Sequence, residues 1–245
     1  MIRSIRNRIK RIREQRRLQN DFAKFSELSK QSAERFPLQW ENRRLIYEDT
    51  KETSFDPHYL YHPAWAARVL AQTKPQLHID ISSILSFSTI ISAFIPVRFY
   101  DYRPANIKLD NFNAEKVDLL SLPFTDNSVK SLSCMHTVEH IGLGRYGDSI
   151  DPDGDIKAIN ELKRVTAVDG NLLFVVPIGK PKIIFNAHRI YEYSQIIEYF
   201  DGFDLKDFFL IPDDALKNGP IKNATKDDSN RQNYGCGCFW FKKLK

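Results

Sequence analysis

From about residue 57 to the C-terminus, short apolar runs alternate with stretches of helical spacing. Leu77–Ile81, Val97–Tyr100, Ser131–Met135, Asn171–Val176, Leu205–Ile211 and Cys236–Phe241 are brief, largely apolar and bounded by turn formers, so they read as strands. A further strand ends at Val117-Asp118. Pro57–Gln72, Thr89–Phe94, Asp155–Val165 and Ser194–Phe200 read as helices between them. In the third of these, Ile156, Ile159, Leu162 and Val165 share one face, and Asp169-Gly170 turns the chain after it. This alternation predicts an α/β fold: a seven-stranded sheet with helices on both faces. In such sheets ligands sit beyond the carboxyl ends of the strands, which is where functional side chains are sought. Residues 212–232 are polar and read as a mobile loop, and no internal repeat is found.

The first 56 residues follow a different pattern. Ile2, Ile5, Ile9 and Ile12 fall on one face of a predicted helix over residues 1–28, and basic residues fill most of the rest. The expected organisation is a basic amphipathic N-terminal helix over 1–30, a polar linker over 31–56 with a short strand or helix at Arg44–Glu48, and an α/β domain over 57–245. The net charge of +5 is concentrated at the start: residues 1–17 carry eight basic side chains and one acid, against 28 basic and 30 acidic groups in the remainder. The α/β body is therefore nearly neutral, which argues against nucleic acid as its partner. The basic helix suits contact with an anionic membrane surface or a partner protein, packing on its own domain, or a solvated tail. No run reaches the roughly 20 apolar residues a bilayer span needs. Cys134, Cys236 and Cys238 make neither a disulfide framework nor a complete zinc set, which fits a reducing, cytoplasmic setting, peripheral to the inner membrane face if the helix meets lipid.

One stretch carries a recognisable arrangement. Val117-Asp118 leads to Leu122-Pro123-Phe124, then Asp126-Asn127-Ser128, His136-Thr137-Val138-Glu139-His140, Glu161-Leu162-Lys163-Arg164-Val165, Gly170, and a strand closing on Pro177. This order resembles the second half of a class I S-adenosylmethionine (SAM)-dependent methyltransferase. The longer string HTVEHIGLGRYGD, with FNAHRIY at 185–191, is similar to a methyltransferase-like domain-of-unknown-function family found in nematodes and in bacterial polysaccharide gene clusters. The resemblance spans roughly Tyr59 to Lys243 and implies a Rossmann-like, seven-stranded mixed sheet whose last strand, Cys236–Phe241, runs antiparallel.

The resemblance implies a SAM-dependent methyl transfer, with O-methylation of a sugar or glycan precursor as the expected reaction. Asp101, at the end of the second strand, stands where a ribose diol is held. A pairing with Arg103 competes with that role. Asp118 would meet the adenine amino group, unless it only caps a turn. Tyr102, Leu119 and Met135 complete the expected cofactor wall. Asp80 ends the first strand, where relatives of the superfamily continue into a glycine-rich turn. Here Ser82 and Ser83 replace those glycines at the amino-acid end of the cofactor. That departure keeps two rivals open: a scaffold that kept the fold without the cofactor, and a glycan enzyme that takes a nucleotide-sugar in the same cleft.

A methylated hydroxyl needs its oxygen in line with the donor methyl and often a base to remove its proton. His140, and after it His136, are the candidate bases, with Glu139 to orient one of them or to stabilise the following turn. The glycine-rich loop Gly142–Asp148 supplies Asp148, Arg145 and Tyr146 as substrate-facing candidates, joined by His188 and Arg189. Asp153 or Asp155 is expected to cap the helix that follows, and the acids at 148–155 lack a calcium-loop signature. His58 and His62, four apart, have the spacing of a metal pair but show no third ligand nearby in sequence, so no metal is expected.

Overall fold

The computed structural model describes residues 2–31 and 35–245, with side chains from residue 5. The expected start of the helix at Met1, the side chain of Ile2 on its apolar face, and residues 32–34 of the linker lie outside the described residues. The chain divides into two units, Met1–Ser54 and Phe55–Lys245.

In the first unit, α1 (Ile2–Ser29) leads to one 3-10 turn at Trp40–Asn42. Ile5, Ile9 and Ile12 are exposed on it. Arg44–Glu48 forms neither strand nor helix. Side chains tie this segment to α1 instead: Arg17 Nη1 pairs with Asp49 at 2.9 Å and stacks over Tyr47, and the Tyr47 hydroxyl donates to Asp21 at 3.0 Å. A polar sequence with scattered aromatics thus forms a strap whose order comes from contacts 26 and 32 residues apart, which local pattern cannot reveal.

The second unit contains α2 (Pro57–Thr73), β1 (His78–Ile81), α3 (Leu85–Ile91), β2 (Val97–Asp101), β3 (Phe112–Lys116) and β4 (Val129–Met135). After these come α4 (Gly154–Val165), β5 (Thr166–Ile178), β6 (Lys182–Ile184), β7 (His188–Ile190), α5 (Tyr193–Tyr199), β8 (Phe203–Ile211), α6 (Ala215–Asn218), α7 (Lys226–Asn230) and β9 (Gly235–Lys243). Seven strands make one sheet in the order β3-β2-β1-β4-β5-β9-β8. The pairs β3-β2, β2-β1, β1-β4 and β4-β5 are parallel, whereas β9 runs antiparallel to both β5 and β8.

Burial on both faces explains the near-continuous apolar strands. One face packs Leu132, Phe174 and Phe239 against Ile159 and Leu162 of α4. The other packs Met135, Val175 and Cys238 in a cluster with Trp65 and Leu70 of α2 and Phe87 of α3. The α2 N-terminus is set by Asp56, whose carboxylate accepts the His58 and Tyr59 amides, with Pro57 at the first helical position.

Several expectations are corrected. Asp169-Gly170 is a bulge inside β5, with the register stepping between Val129/Thr166 and Ser131/Asn171 and Asp169 at φ 62°. Helix α3 begins at Leu85, four residues earlier than read. Asp118 lies past the end of β3, in a tight turn with Ser121. Residues 182–190 form a small antiparallel hairpin, β6-β7, beyond the main sheet. The 212–232 segment contains two short helices, and Asp213 holds it by accepting the Asn233 and Tyr234 amides at 2.8 Å each. Among the described residues no helix is long and apolar enough to cross a membrane.

Candidate functional site

The parallel strands deliver their last residues to one cleft. Ser82 follows β1, Asp101 and Tyr102 end β2, Asp118 and Leu119 follow β3, and His136 and Thr137 follow β4. All of them line a cavity of about 340 Å³. That size lies within the range of small-molecule sites. The remaining wall is the 140–151 loop, including His140, Tyr146 and Asp148.

Backbone geometry at two of these strand ends is unusual. Ser82 and His136 adopt positive φ, 54° and 56°, a region that costs a non-glycine residue about 1–2 kcal/mol. At Ser82 the turn is held by two bonds to the Tyr100 carbonyl, from the amide at 2.7 Å and from Oγ at 3.1 Å. The serine therefore takes the conformation a glycine would take, and its hydroxyl replaces part of what the missing glycine made easy. The Ser83 hydroxyl accepts the Met135 amide at 3.1 Å, which ties the ends of β1 and β4 together. Ser83 and Met135 are thus structural, buried at 5% and 1% exposure, and do not reach the cavity wall.

Asp80 does not reach it either. It is fully buried and accepts from Ser133 Oγ at 2.6 Å and from Ser88 Oγ. Burial raises its carboxyl to about 6, although the serine hydroxyls that donate to it act in the opposite direction. His78 sits beside it in the same buried network, bonded to Ser131 and Ser133, and burial lowers its imidazole to about 3.

Asp101 and Asp118 face the cavity alike. Asp101 Oδ1 accepts the Arg103 amide at 2.7 Å, and Asp118 Oδ1 accepts the Leu120 amide at 2.9 Å. The backbone fixes one oxygen of each carboxylate and leaves Oδ2 without a partner among the described residues. Neither carboxylate forms an ion pair, and the Arg103 guanidinium lies 4.8 Å from the centroid of the Tyr146 ring instead. Two oriented acceptors on adjacent strand ends match a nucleoside diol and an exocyclic amine, so the residues present fit an adenosine-bearing cofactor.

The loop from 140 to 152 is built by polar clamps. Asp148 accepts the amides of Gly142 at 2.7 Å, Tyr146 at 3.1 Å and Gly144 at 3.3 Å; burial is the largest single influence and pushes its carboxyl up, but these backbone bonds together outweigh it and hold the carboxyl below the usual range. Gly142 has φ +80°, and a Cβ there would lie 2.0 Å from the Asp151 carbonyl oxygen. Arg189, expected to grip a substrate, is 5% exposed and is spent on the loop. It donates to the carbonyls of Ile141 at 2.6 Å and Pro152 at 3.1 Å, and lies 3.5 Å from Asp155. Asp155 also accepts the Tyr191 hydroxyl at 2.9 Å, so it is no helix cap, and Asp153 at the N-cap position makes no side-chain cap bond. Charge partners far apart in sequence explain both corrections.

A second cavity of about 380 Å³ adjoins the first, with His136 and His140 in both walls. Glu139, Arg145, His188, Tyr59, Asn186 and Tyr234 line the rest. The two tyrosines and Asn186 were not among the expected site residues, because only the folding of α2, the hairpin and β9 toward one another shows them. His140 Nδ1 lies 2.6 Å from the Ala187 carbonyl oxygen and 3.2 Å from Arg145 Nη1; in the tautomer that donates from Nδ1 to the carbonyl, the shorter contact, Nε2 keeps the lone pair, 3.7 Å from Glu139 Oε1. Arg145 donates to the same carbonyl at 3.1 Å. Glu139 is 1% exposed; burial is the largest single influence and pushes its carboxyl up, but the His136 bond at 2.9 Å, the neighbouring His136 and His140 rings and a backbone bond together hold it below the ordinary value. His188 is lowered, chiefly by burial.

The sequence as a whole matches no curated protein. Residues 121–239 match the family described as "Caenorhabditis protein of unknown function, DUF268". The structure is similar to YcgJ protein from Bacillus subtilis, at 14% identity and a TM-score of 0.53, covering 76% of this chain and 99% of that one. It is similar to a proposed sarcosine dimethylglycine methyltransferase from Galdieria sulphuraria, at 14% identity and a TM-score of 0.52, over 76% and 86% of the two chains. It also resembles the 1,6-didemethyltoxoflavin-N1-methyltransferase of Burkholderia thailandensis, solved with S-adenosylhomocysteine, at 9% identity and a TM-score of 0.50, over 76% and 79%. At these identities the likeness is one of fold. Residues 121–239 thus resemble that family of unknown function, and the α/β domain shares the fold of these SAM-dependent methyltransferases.

Proposed function

We propose that the protein is a SAM-dependent methyltransferase acting on a hydroxyl of a polyhydroxylated, sugar-like acceptor. The observation that carries this reading is the convergence of Ser82, Asp101, Asp118 and His136, from four consecutive parallel strands, on one cavity beside a second that shares His136 and His140.

In this reading Asp101 and Asp118 orient the nucleoside through their unpaired Oδ2 atoms, and Ser82 faces the amino-acid end. SAM, when bound, supplies an electrophilic methyl group. The acceptor occupies the second cavity, where Tyr59 and Tyr234 offer aromatic faces and Arg145, Asn186 and His188 offer hydrogen bonds suited to a ring of hydroxyls. His140 is the base. Its Nδ1–H is committed to Ala187, so Nε2 takes the acceptor proton, and Glu139 at 3.7 Å stabilises the imidazolium that results. His136 is less suited, because Nδ1 is bonded to Glu139 and Nε2 faces Cys236 at 3.3 Å.

Calorimetric titration of the purified full-length chain with SAM and with S-adenosylhomocysteine tests the cofactor assignment. Micromolar binding is expected. Absence of binding at millimolar ligand would overturn it and leave a fold kept for scaffolding or for a nucleotide-sugar.

A further inference from the structure

The wall around His136 contains a cluster, of which His58 and Cys236 have no part in the proposed methyl transfer. His58 on the first turn of α2, His136 after β4 and Cys236 on β9 place one ligand atom each within 4.8 Å of one another. Cys236 Sγ lies 3.3 Å from His136 Nε2, and the His58 ring stacks on the His136 ring at 5.7 Å and 11°. His58 and His62 had suggested a metal pair without a third ligand. Folding supplies two further donors, from positions 78 and 178 residues beyond His58.

Three features give this cluster the character of a built site. His136 Nδ1 is bonded to the buried Glu139 carboxylate at 2.9 Å, the carboxylate–histidine arrangement that aims the other ring nitrogen at a metal. Cys236 is fully buried, with its sulfur between His136 Nε2 at 3.3 Å and Cys238 Sγ at 3.9 Å. His62 is also fully buried. Its Nδ1 donates to the His58 carbonyl at 2.7 Å, and its buried Nε2 has no hydrogen-bond partner among the described residues. Its ring stands 5.1 Å from that of His136.

We propose that His58, His136 and Cys236 bind a transition-metal ion of the Zn²⁺ class, with a solvent oxygen in the fourth position. Two imidazoles and a thiolate select zinc, cobalt or copper over magnesium or calcium, which prefer oxygen. Tetrahedral zinc, with arms of about 2.0–2.1 Å to nitrogen and about 2.3 Å to sulfur, separates its donor atoms by about 3.3–3.6 Å. The His136–Cys236 pair is already close to that spacing, and His58 needs to close by at most about 1.2–1.5 Å. On binding, the sulfur–hydrogen bond of Cys236 breaks, its proton leaves to solvent, and the thiolate pair forms the sulfur–metal bond. The ion then bridges α2, β4 and β9 in the wall shared by the two cavities.

The test uses the full-length chain, with any affinity tag removed, stripped with chelator and reloaded with Zn²⁺ alone. Metal retained after gel filtration is measured by mass spectrometry, and Co²⁺ is then substituted for optical spectra. About one zinc per chain is expected, with a thiolate-to-cobalt charge-transfer band and intense tetrahedral d–d bands. Cys236→Ser should lose that band and more than tenfold in affinity, and Glu139→Gln should lose about 10- to 100-fold. Cys134→Ser and Cys238→Ser should keep both the band and the metal. Circular dichroism of each metal-free variant separates loss of the ligand from loss of the fold. Substoichiometric zinc in the unaltered chain, an unchanged cobalt spectrum in Cys236→Ser, or loss of the band in Cys238→Ser would overturn the assignment. None of these readouts involves SAM, so this proposal and the cofactor assignment fail separately.

Discussion

Replacing Asp101 separates a cofactor ligand from a loop-organising residue. Its Oδ1 accepts the Arg103 amide at 2.7 Å, whereas its Oδ2 has no partner among the described residues, and the residue lines the cavity. A hydrogen bond to a charged acceptor contributes about 1.5–3 kcal/mol, and about 1.4 kcal/mol corresponds to a tenfold change in affinity. Because Asp101 is half-buried at the cleft mouth, the lower part of that range applies. Asp101→Asn is expected to weaken S-adenosylhomocysteine binding by roughly tenfold to fiftyfold. Asparagine keeps an oxygen for the Arg103 amide and replaces the free acceptor with a donor, so the unfolding temperature should hardly move. Asp101→Ala removes both functions, and should lose similar affinity together with about 0.5–1.5 kcal/mol of stability from the lost turn bond. The assay is calorimetric titration of the three proteins, with thermal unfolding of each. Binding by Asp101→Asn within twofold of the unaltered protein would refute the reasoning, as would an affinity loss confined to Asp101→Ala and parallel to its lost stability.

His140→Gln should leave S-adenosylhomocysteine affinity intact while lowering the turnover of a hydroxyl acceptor by about 10²- to 10⁴-fold, which single-turnover kinetics would show. Arg189→Ala strips the buried carbonyls of Ile141 and Pro152 and the Asp155 carboxylate of their cation, so denaturant unfolding should register a loss of about 3–5 kcal/mol. Burial raises the Asp80 carboxyl from 3.8 to about 6, so the folded state holds a proton that the unfolded chain has released. Stability from this group is therefore present at low pH and falls as pH rises from about 4 to 6, by on the order of 3 kcal/mol. Asp80→Asn should remove that part of the slope when denaturant unfolding is compared across the window.

Where chemistry follows from position along a strand, the sequence is a sufficient guide. Asp101, Asp118, Ser82 and His136 stand at or just beyond the ends of apolar runs, and strand ends in a parallel sheet open on the ligand side. The strand pattern and the helices α2, α4 and α5 rest on the same local periodicity. Outcomes were different where a side chain's partner is remote. Arg189 and Asp148 are as polar as any substrate-binding residue, yet both are consumed in holding the 140–152 loop. Asp80 stands at a strand end like Asp101, but one side of it is filled by Ser88 and Ser133, and only packing distinguishes the two.

The sequence alone determined the sheet-forming runs, the strand-end acids and the concentration of positive charge in the first 17 residues, because each is written in neighbouring positions. Tertiary structure decided which of those acids meet the cleft, that a serine at positive φ replaces a glycine, and that His58, His136 and Cys236 stand together. Those outcomes depend on three-dimensional separation between residues as much as 178 positions apart, and no local pattern of hydrophobic and polar residues encodes that distance.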